Sequence, residues 1–218
     1  ELSLNRLSFE PLDDGTRKDL DFWGAFDVRK QYGNLLAWGT YESYSGGRQS
    51  LYGGMRFRWG KDVYAIAQAH AGKTWDNHAP GHGTFRIGGD VGEGYFTQRP
   101  SRLFPLRGFS SNLLEASQAV TAGFEVYWPL INLQRGYETL PLFFHKLRLG
   151  TFVDGGACRE GMSGEDMLVG AGLELITSME LVWGYRSSFH MGIAWPVRQP
   201  GYLHEDGPVF LLQIGRPL

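Results

Sequence analysis

The sequence predicts an all-β fold, an antiparallel up-and-down meander, on three observations. Hydrophobicity alternates with a period of two rather than 3.6 along most of the chain. The 31 glycines and 14% aromatic residues suit many strands and turns and, without a Gly-X-Y period, neither a collagen nor a disordered chain. Turn signals such as "DDGTRKD", "YGN", "SGGR" and "WGKD" separate the alternating runs.

Taken in order, the runs each present one apolar and one polar face. In "DLDFWGAFDVRK", Leu20, Phe22, Phe26 and Val28 oppose Asp19, Asp21, Asp27 and Arg29. In "RQSLYGGMRFRW", Leu51, Met55, Phe57 and Trp59 oppose Arg48, Tyr52, Arg56 and Arg58. "AVTAGFEVYWPL" sets Val120, Ala122, Phe124, Val126 and Trp128 against Thr121, Gly123, Glu125 and Tyr127. "KLRLGTFVDGG" sets Leu147, Leu149, Thr151 and Val153 against Lys146, Arg148, Phe152 and Asp154, and "PVFLLQIG" sets Phe210, Leu212 and Ile214 against Leu211, Gln213 and Gly215. Counted this way the chain holds about ten strands.

Two architectures accept this meander. A soluble sandwich or barrel turns the apolar face inward, whereas an outer-membrane barrel turns it to lipid and keeps charge in the lumen. Alternation alone does not choose between them. Seven tryptophans, mostly near strand ends, and strands of about ten or more residues favour a membrane barrel with an interfacial aromatic girdle. No apolar run is long enough for a membrane-spanning helix. The chain opens directly on "ELSLNRLSF", which points to a removed leader or to the C-terminal part of something longer. Residues 1–218 read as one domain with a long inward-folding loop at about 76–115.

Composition narrows the function. A net charge of -2, with neither sign concentrated, gives no basis for nucleic-acid binding. Cys158 is the single cysteine, which excludes a disulfide framework and any CxxC motif. His78 and His82 lie four apart in a Gly/Pro loop, with no shared face to hold a metal. His190 alternates with Phe189 and Met191 and reads as a hydrogen-bonding residue of the polar face. "GMSGE" has Glu165 where a nucleophile elbow needs glycine, and "GGDVGEG" lacks the Lys-Ser/Thr ending of a phosphate loop. The adjacent acids Asp13–Asp14 and Glu165–Asp166 point apart on extended chain. The expectation is therefore a protein that is not an enzyme and has no catalytic, metal or cofactor site.

The run "FRIGGDVGEGYFTQRPSRLFPLRGFSSNLLEASQAVTAGFEVYWPL" resembles the bacterial surface antigen superfamily of BamA-like outer-membrane barrels and their two-partner-secretion relatives. The resemblance rests on Gly88-Gly89, then Leu106-Arg107-Gly108-Phe109, then Glu125 through Pro129, then the "FVDGG" of Phe152 to Gly156. It is best from about residue 84 to the C-terminus. Leu218 departs from the family's terminal aromatic residue, and about ten strands depart from its sixteen. The simplest account is the last part of a sixteen-stranded barrel.

What the resemblance implies is an outer-membrane barrel that assists insertion or translocation of proteins. In it, a loop bearing Leu106, Arg107, Gly108 and Phe109 locks onto Glu125 and Asp154. Alternation independently places both acids on the polar face. It further implies a lateral seam at the last strand, Val209, Phe210, Leu211, Leu212, Gln213, Ile214 and Gly215. The expected location is a bacterial outer membrane or an organelle outer membrane of bacterial origin. Expected partners are membrane lipid, client proteins or periplasmic domains upstream in the same polypeptide, and a second chain completing the barrel. The alternatives are a barrel that anchors, or forms a pore for, an attached domain, and a soluble β-barrel that binds a ligand.

Overall fold

The computed structural model of the chain describes residues 2–3, 7–11, 20–44, 47–60, 62–75, 84–89, 103–136, 142–158, 166–181, 185–205 and 207–215. The first six strands are β1 (Leu2–Ser3), β2 (Leu7–Pro11), β3 (Leu20–Tyr32), β4 (Leu35–Tyr44), β5 (Arg48–Trp59) and β6 (Val63–Thr74). Three short strands follow, β7 (Phe85–Ile87), β8 (Leu103–Phe104) and β9 (Leu114–Ala116). Five more complete the chain: β10 (Gln118–Gly136), β11 (Leu142–Cys158), β12 (Leu168–Leu181), β13 (Tyr185–Arg198) and β14 (Val209–Gly215).

Eleven strands form one antiparallel sheet in the order β1-β3-β4-β5-β6-β10-β11-β12-β13-β14, with β2 also paired to β3. From β3 onward, strands adjacent in the chain are adjacent in the sheet, as short turns dictate, except between β6 and β10; β1 and β2 both pair with β3. There the chain leaves the sheet through residues 75–117 and forms a second sheet, β8-β7-β9, which lies against β10 and β11. We call this excursion the strap.

Register carries the period-two pattern across the sheet. One transverse row runs Trp128, Leu149, Leu175, Met191, Leu212, and its neighbour runs Val126, Thr151, Leu173, Ile193, Phe210. These rows belong to the open face, where Phe210 and Leu212 stand 79% and 72% exposed. The opposite, covered face lies under the strap and carries the charges. One of its rows runs Tyr127, Gly150, Glu174, Gly192, Leu211, and the next runs Glu125, Phe152, Gly172, Ala194, Val209.

The main hydrophobic cluster sits between strap and sheet. Phe85, Ile87, Leu106 and Phe109 of the strap are wholly buried with Phe104, Ala119, Cys158 and Leu168. Full burial of side chains of this size is worth about 1.5–3 kcal/mol each, so the strap is an integral part of the core.

The sheet corrects the expected architecture. β14 pairs with β13 alone, the other end is formed by β1 and β2 on β3, and no described strand joins the two ends. The chain forms two open sheets, neither the closed transmembrane barrel of about ten strands nor a closed soluble barrel. Alternation and turn spacing are local signals, whereas closure depends on pairing between the first and last strands, which a period cannot report.

The assignments built on closure are corrected with it. These are membership of the BamA-like superfamily, the role in protein insertion or translocation, the anchor or pore, and the bacterial or organelle outer-membrane location. The same holds for the partnerships with lipid, client proteins, upstream periplasmic domains and a barrel-completing second chain. Among the described residues, no helix is long and apolar enough to cross a membrane.

Candidate functional site

The strap is threaded through its Leu106-Arg107-Gly108-Phe109 turn. Leu106 donates its backbone N–H to the carbonyl of Gly89 at 3.0 Å, and Gly89 donates to the carbonyl of Phe109 at 3.2 Å, which ties both ends of the turn together. Gly108 has φ +93°, in the region that L side chains rarely adopt. A Cβ there would lie 2.8 Å from the carbonyl oxygen of Trp195 on β13. Below it, Gly170 on β12 makes room for the strap backbone, since a Cβ at that position would stand 1.9 Å from the Arg107 carbonyl oxygen.

Leu106 and Phe109 point into the cluster between strap and sheet, and Arg107 points between them into the covered face. Its guanidinium is 3.7 Å above the centre of the Phe152 ring. Nε donates to Oδ2 of Asp154 at 2.6 Å and Nη2 to Oδ1 at 2.8 Å, the parallel fork that suits a planar guanidinium and a carboxylate. The Arg107 backbone N–H also donates to Asp154 Oδ2 at 3.3 Å. Nη2 makes a further hydrogen bond to Glu125 Oε1, and Nη1 lies 3.8 Å from Glu174 Oε1.

The hydroxyl of Tyr127 stands between two of these acids, 2.6 Å from Glu125 Oε2 and 2.7 Å from Glu174 Oε1. His190 closes the network, its Nδ1 3.6 Å from Glu174 Oε2 and its Nε2 2.8 Å from the hydroxyl of Ser188.

This is a dense buried charge cluster, and its titration follows from its neighbours. Burial alone would lower the pKa of Arg107, but the hydrogen bonds and charges of Asp154 and the charge of Glu125 hold it well above its ordinary value. Burial would raise Glu174, yet His190, Arg107 and the Tyr127 hydroxyl together hold it below the ordinary carboxylate range. Burial, and then the charges of Glu125 and Glu174, push Tyr127 well up, so it stays a hydrogen-bond donor.

The sequence-predicted residues fall into two groups. Leu106, Arg107, Gly108, Phe109, Glu125 and Asp154 come together in this cluster. Val209 to Gly215 form β14, an edge strand at the far side of the sheet. There Leu211 is buried with Phe152 and Ala194, while Phe210, Leu212 and Ile214 are exposed on the open face. His78, His82, Asp13, Asp14 and Glu165 lie outside the described residues, as do residues 76–83 and 90–102 of the predicted loop.

Glu174 was missed altogether. It sits in "GAGLEL", and the step of two from Gly170 through Gly172 places it on the Asp154 face, a signal that emerges only once β11 and β12 are put in register. Among the described residues no group of His, Cys, Asp and Glu is arranged to hold a metal ion. Cys158 is buried, its thiol directed at the Phe85 carbonyl, and burial pushes it up to about 11, a structural thiol of the cluster between strap and sheet.

No protein-family model, curated protein or solved structure matches this chain.

Proposed function

We propose that this chain is a non-catalytic structural domain, an open sheet held in one shape by an internal strap whose fastening is the Arg107 cluster. The observation that carries this reading is how Arg107 is held: its fork on Asp154, its bond to Glu125 and its stacking on Phe152 bury the guanidinium at the junction of strap and sheet, with Nη1 facing Glu174 at 3.8 Å.

One arrangement in the cluster has the order of a hydrolytic relay, namely Ser188, His190 and Glu174. Its surroundings do not support that chemistry. Ser188 is wholly buried on β13, paired with Ser178 of β12 and with Gly215 at the end of β14, and the 3.6 Å between His190 and Glu174 exceeds a hydrogen bond. Nucleophile, base and orienting acid need an approachable serine and a set of oxyanion donors beside it.

Two measurements test the reading. Asp154→Asn should lower the unfolding free energy by about 2–4 kcal/mol, because it weakens a buried charge-assisted fork and leaves Arg107 undercompensated. Reaction centres behave in the opposite sense, since removing one of their groups commonly leaves stability unchanged or raised. Covalent labelling of Ser188 by a fluorophosphonate probe, lost in Ser188→Ala, would overturn the non-catalytic reading.

A further inference from the structure

The covered face carries a second polar cluster beyond Tyr127, on the side away from the strap. Arg58 on β5 is directly opposite Tyr64 on β6, and Arg56 is two residues along on the same face of β5. The Tyr64 ring stacks on Tyr127 with centroids 4.8 Å apart, so its position is set by the first cluster. From the other side Arg148 on β11 brings its guanidinium to 5.8 Å from the Tyr64 ring, with Nη1 donating to the Ser178 hydroxyl at 3.2 Å.

Two donors here have no acceptor. The Tyr64 hydroxyl is buried without a hydrogen-bond partner in a residue only 8% exposed, and Arg148 Nε is buried and unpartnered too. Buried polar groups are nearly always paired, so each such donor calls for an explanation. Among the described residues no carboxylate forms an ion pair with Arg56 or Arg58, whereas the nearby Lys146 has Asp62. Arg56, Arg58 and Arg148 thus surround one phenol from three positions on this face, the charges of Arg148 and Arg56 acting on Tyr64 more strongly than those of Glu125 and Glu174, and two donors are left without acceptors.

We propose that this cluster is an oxyanion site, and that Tyr64, Arg148, Arg56 and Arg58 bind a phosphate group, free or carried on a larger ligand. A tetrahedral oxyanion supplies what the cluster lacks, several acceptor oxygens on one centre. Tyr64 and Arg148 would donate from the buried side, and the half-buried Arg56 and exposed Arg58 would complete the shell toward solvent. The titration is in keeping with such a ligand. Burial and then the like charges of Arg58 and Arg29 lower Arg56, a strain that an anion would relieve. Burial lifts Tyr64 to about 12, which keeps its hydroxyl protonated to donate.

Calorimetric titration of the full chain with inorganic phosphate, at ionic strength held constant with chloride, tests the proposal. Binding above the chloride control is expected. It should weaken about ten-fold or more in Tyr64→Phe and again in Arg148→Gln, while staying unchanged in Arg86→Gln, which removes a strap charge paired with Glu115.

Tyr64→Phe keeps the ring and its stacking, so its fold is retained, and circular dichroism of each variant verifies this. No binding above chloride, or binding that Tyr64→Phe leaves intact, would overturn the site. A phosphate monoester of a sugar, titrated in parallel, separates the sources. Tighter binding than inorganic phosphate, still lost in Tyr64→Phe, assigns a phosphorylated ligand, and equal binding assigns the free anion.

Discussion

Replacing Arg107 by methionine is the sharpest perturbation of the strap. The side chain is about nine-tenths buried and donates three charge-assisted hydrogen bonds, two to Asp154 and one to Glu125, with Glu174 beside them. Methionine fills much of the volume over Phe152 but leaves three carboxylates without their cation.

Breaking a buried pair by removing one partner costs roughly 3–5 kcal/mol, because the remaining charge is stranded. For a chain of this size that corresponds to a fall in the thermal midpoint of roughly 6–20 °C. The loss should be local first, so amide exchange of Gly89 and Leu106, whose N–H groups tie the turn together, should accelerate more than that of the central β11 and β12 amides.

The triple variant Arg107→Met, Asp154→Asn, Glu125→Gln should be less destabilised than the sum of its singles, since it removes both signs of charge together. A single-variant loss under about 1 kcal/mol, with unchanged exchange at Gly89 and Leu106, would refute the claim that this cluster fastens the strap.

Two other outcomes are expected. Because the Glu174 carboxyl is held below its ordinary range in the folded protein, it contributes stability above its unfolded pKa of roughly 4.3, and that contribution disappears as pH falls through the lower folded value. Urea unfolding midpoints should therefore drop below about pH 4, with part of the drop absent in Glu174→Gln; identical pH profiles for the two proteins would contradict this. Gly170→Ala should displace the strap, since its Cβ would stand 1.9 Å from the Arg107 carbonyl oxygen, backbone that cannot rotate away. A destabilisation of about 1–3 kcal/mol measured by urea unfolding is expected, and a neutral alanine would show that the approach is looser than described.

The residues that form strands and the face each presents were legible because a half-covered sheet writes its pleat into the sequence at every second position. Val120 to Trp128 and Lys146 to Asp154 sort onto the open and covered faces as alternation predicts. Of the acids in the Arg107 cluster, alternation placed Glu125 and Asp154 on one polar face for the same reason, while their pairing with Arg107 came from the resemblance. Closure was not legible, since it depends on whether β14 meets β1 and β2, and neither edge carries a residue pattern that reports its neighbour. Nor was the contribution of Glu174 and Tyr127, which reach Arg107 only through a register linking β10, β11 and β12. Alternation also left the direction of the apolar face open, because period two marks two faces without saying which one is covered.

The break between β6 and β10 has a consequence for how the chain folds. From β3 onward every other neighbouring pair in the main sheet joins through a short connection or a modest loop, but pairing β6 with β10 must first close residues 75–117. On the logarithmic dependence of loop entropy, closing so long a segment costs about 2 kcal/mol more than a four-residue turn. The alignment of β6 with β10 is thus the entropic bottleneck between two nearly independent meanders. The strap both creates that bottleneck and, once Arg107 meets Asp154, holds the two halves together across it. A circular permutant opened within the strap would exchange a slow intramolecular search for a docking step between halves, and its refolding rate would measure how much of the barrier lies at that junction.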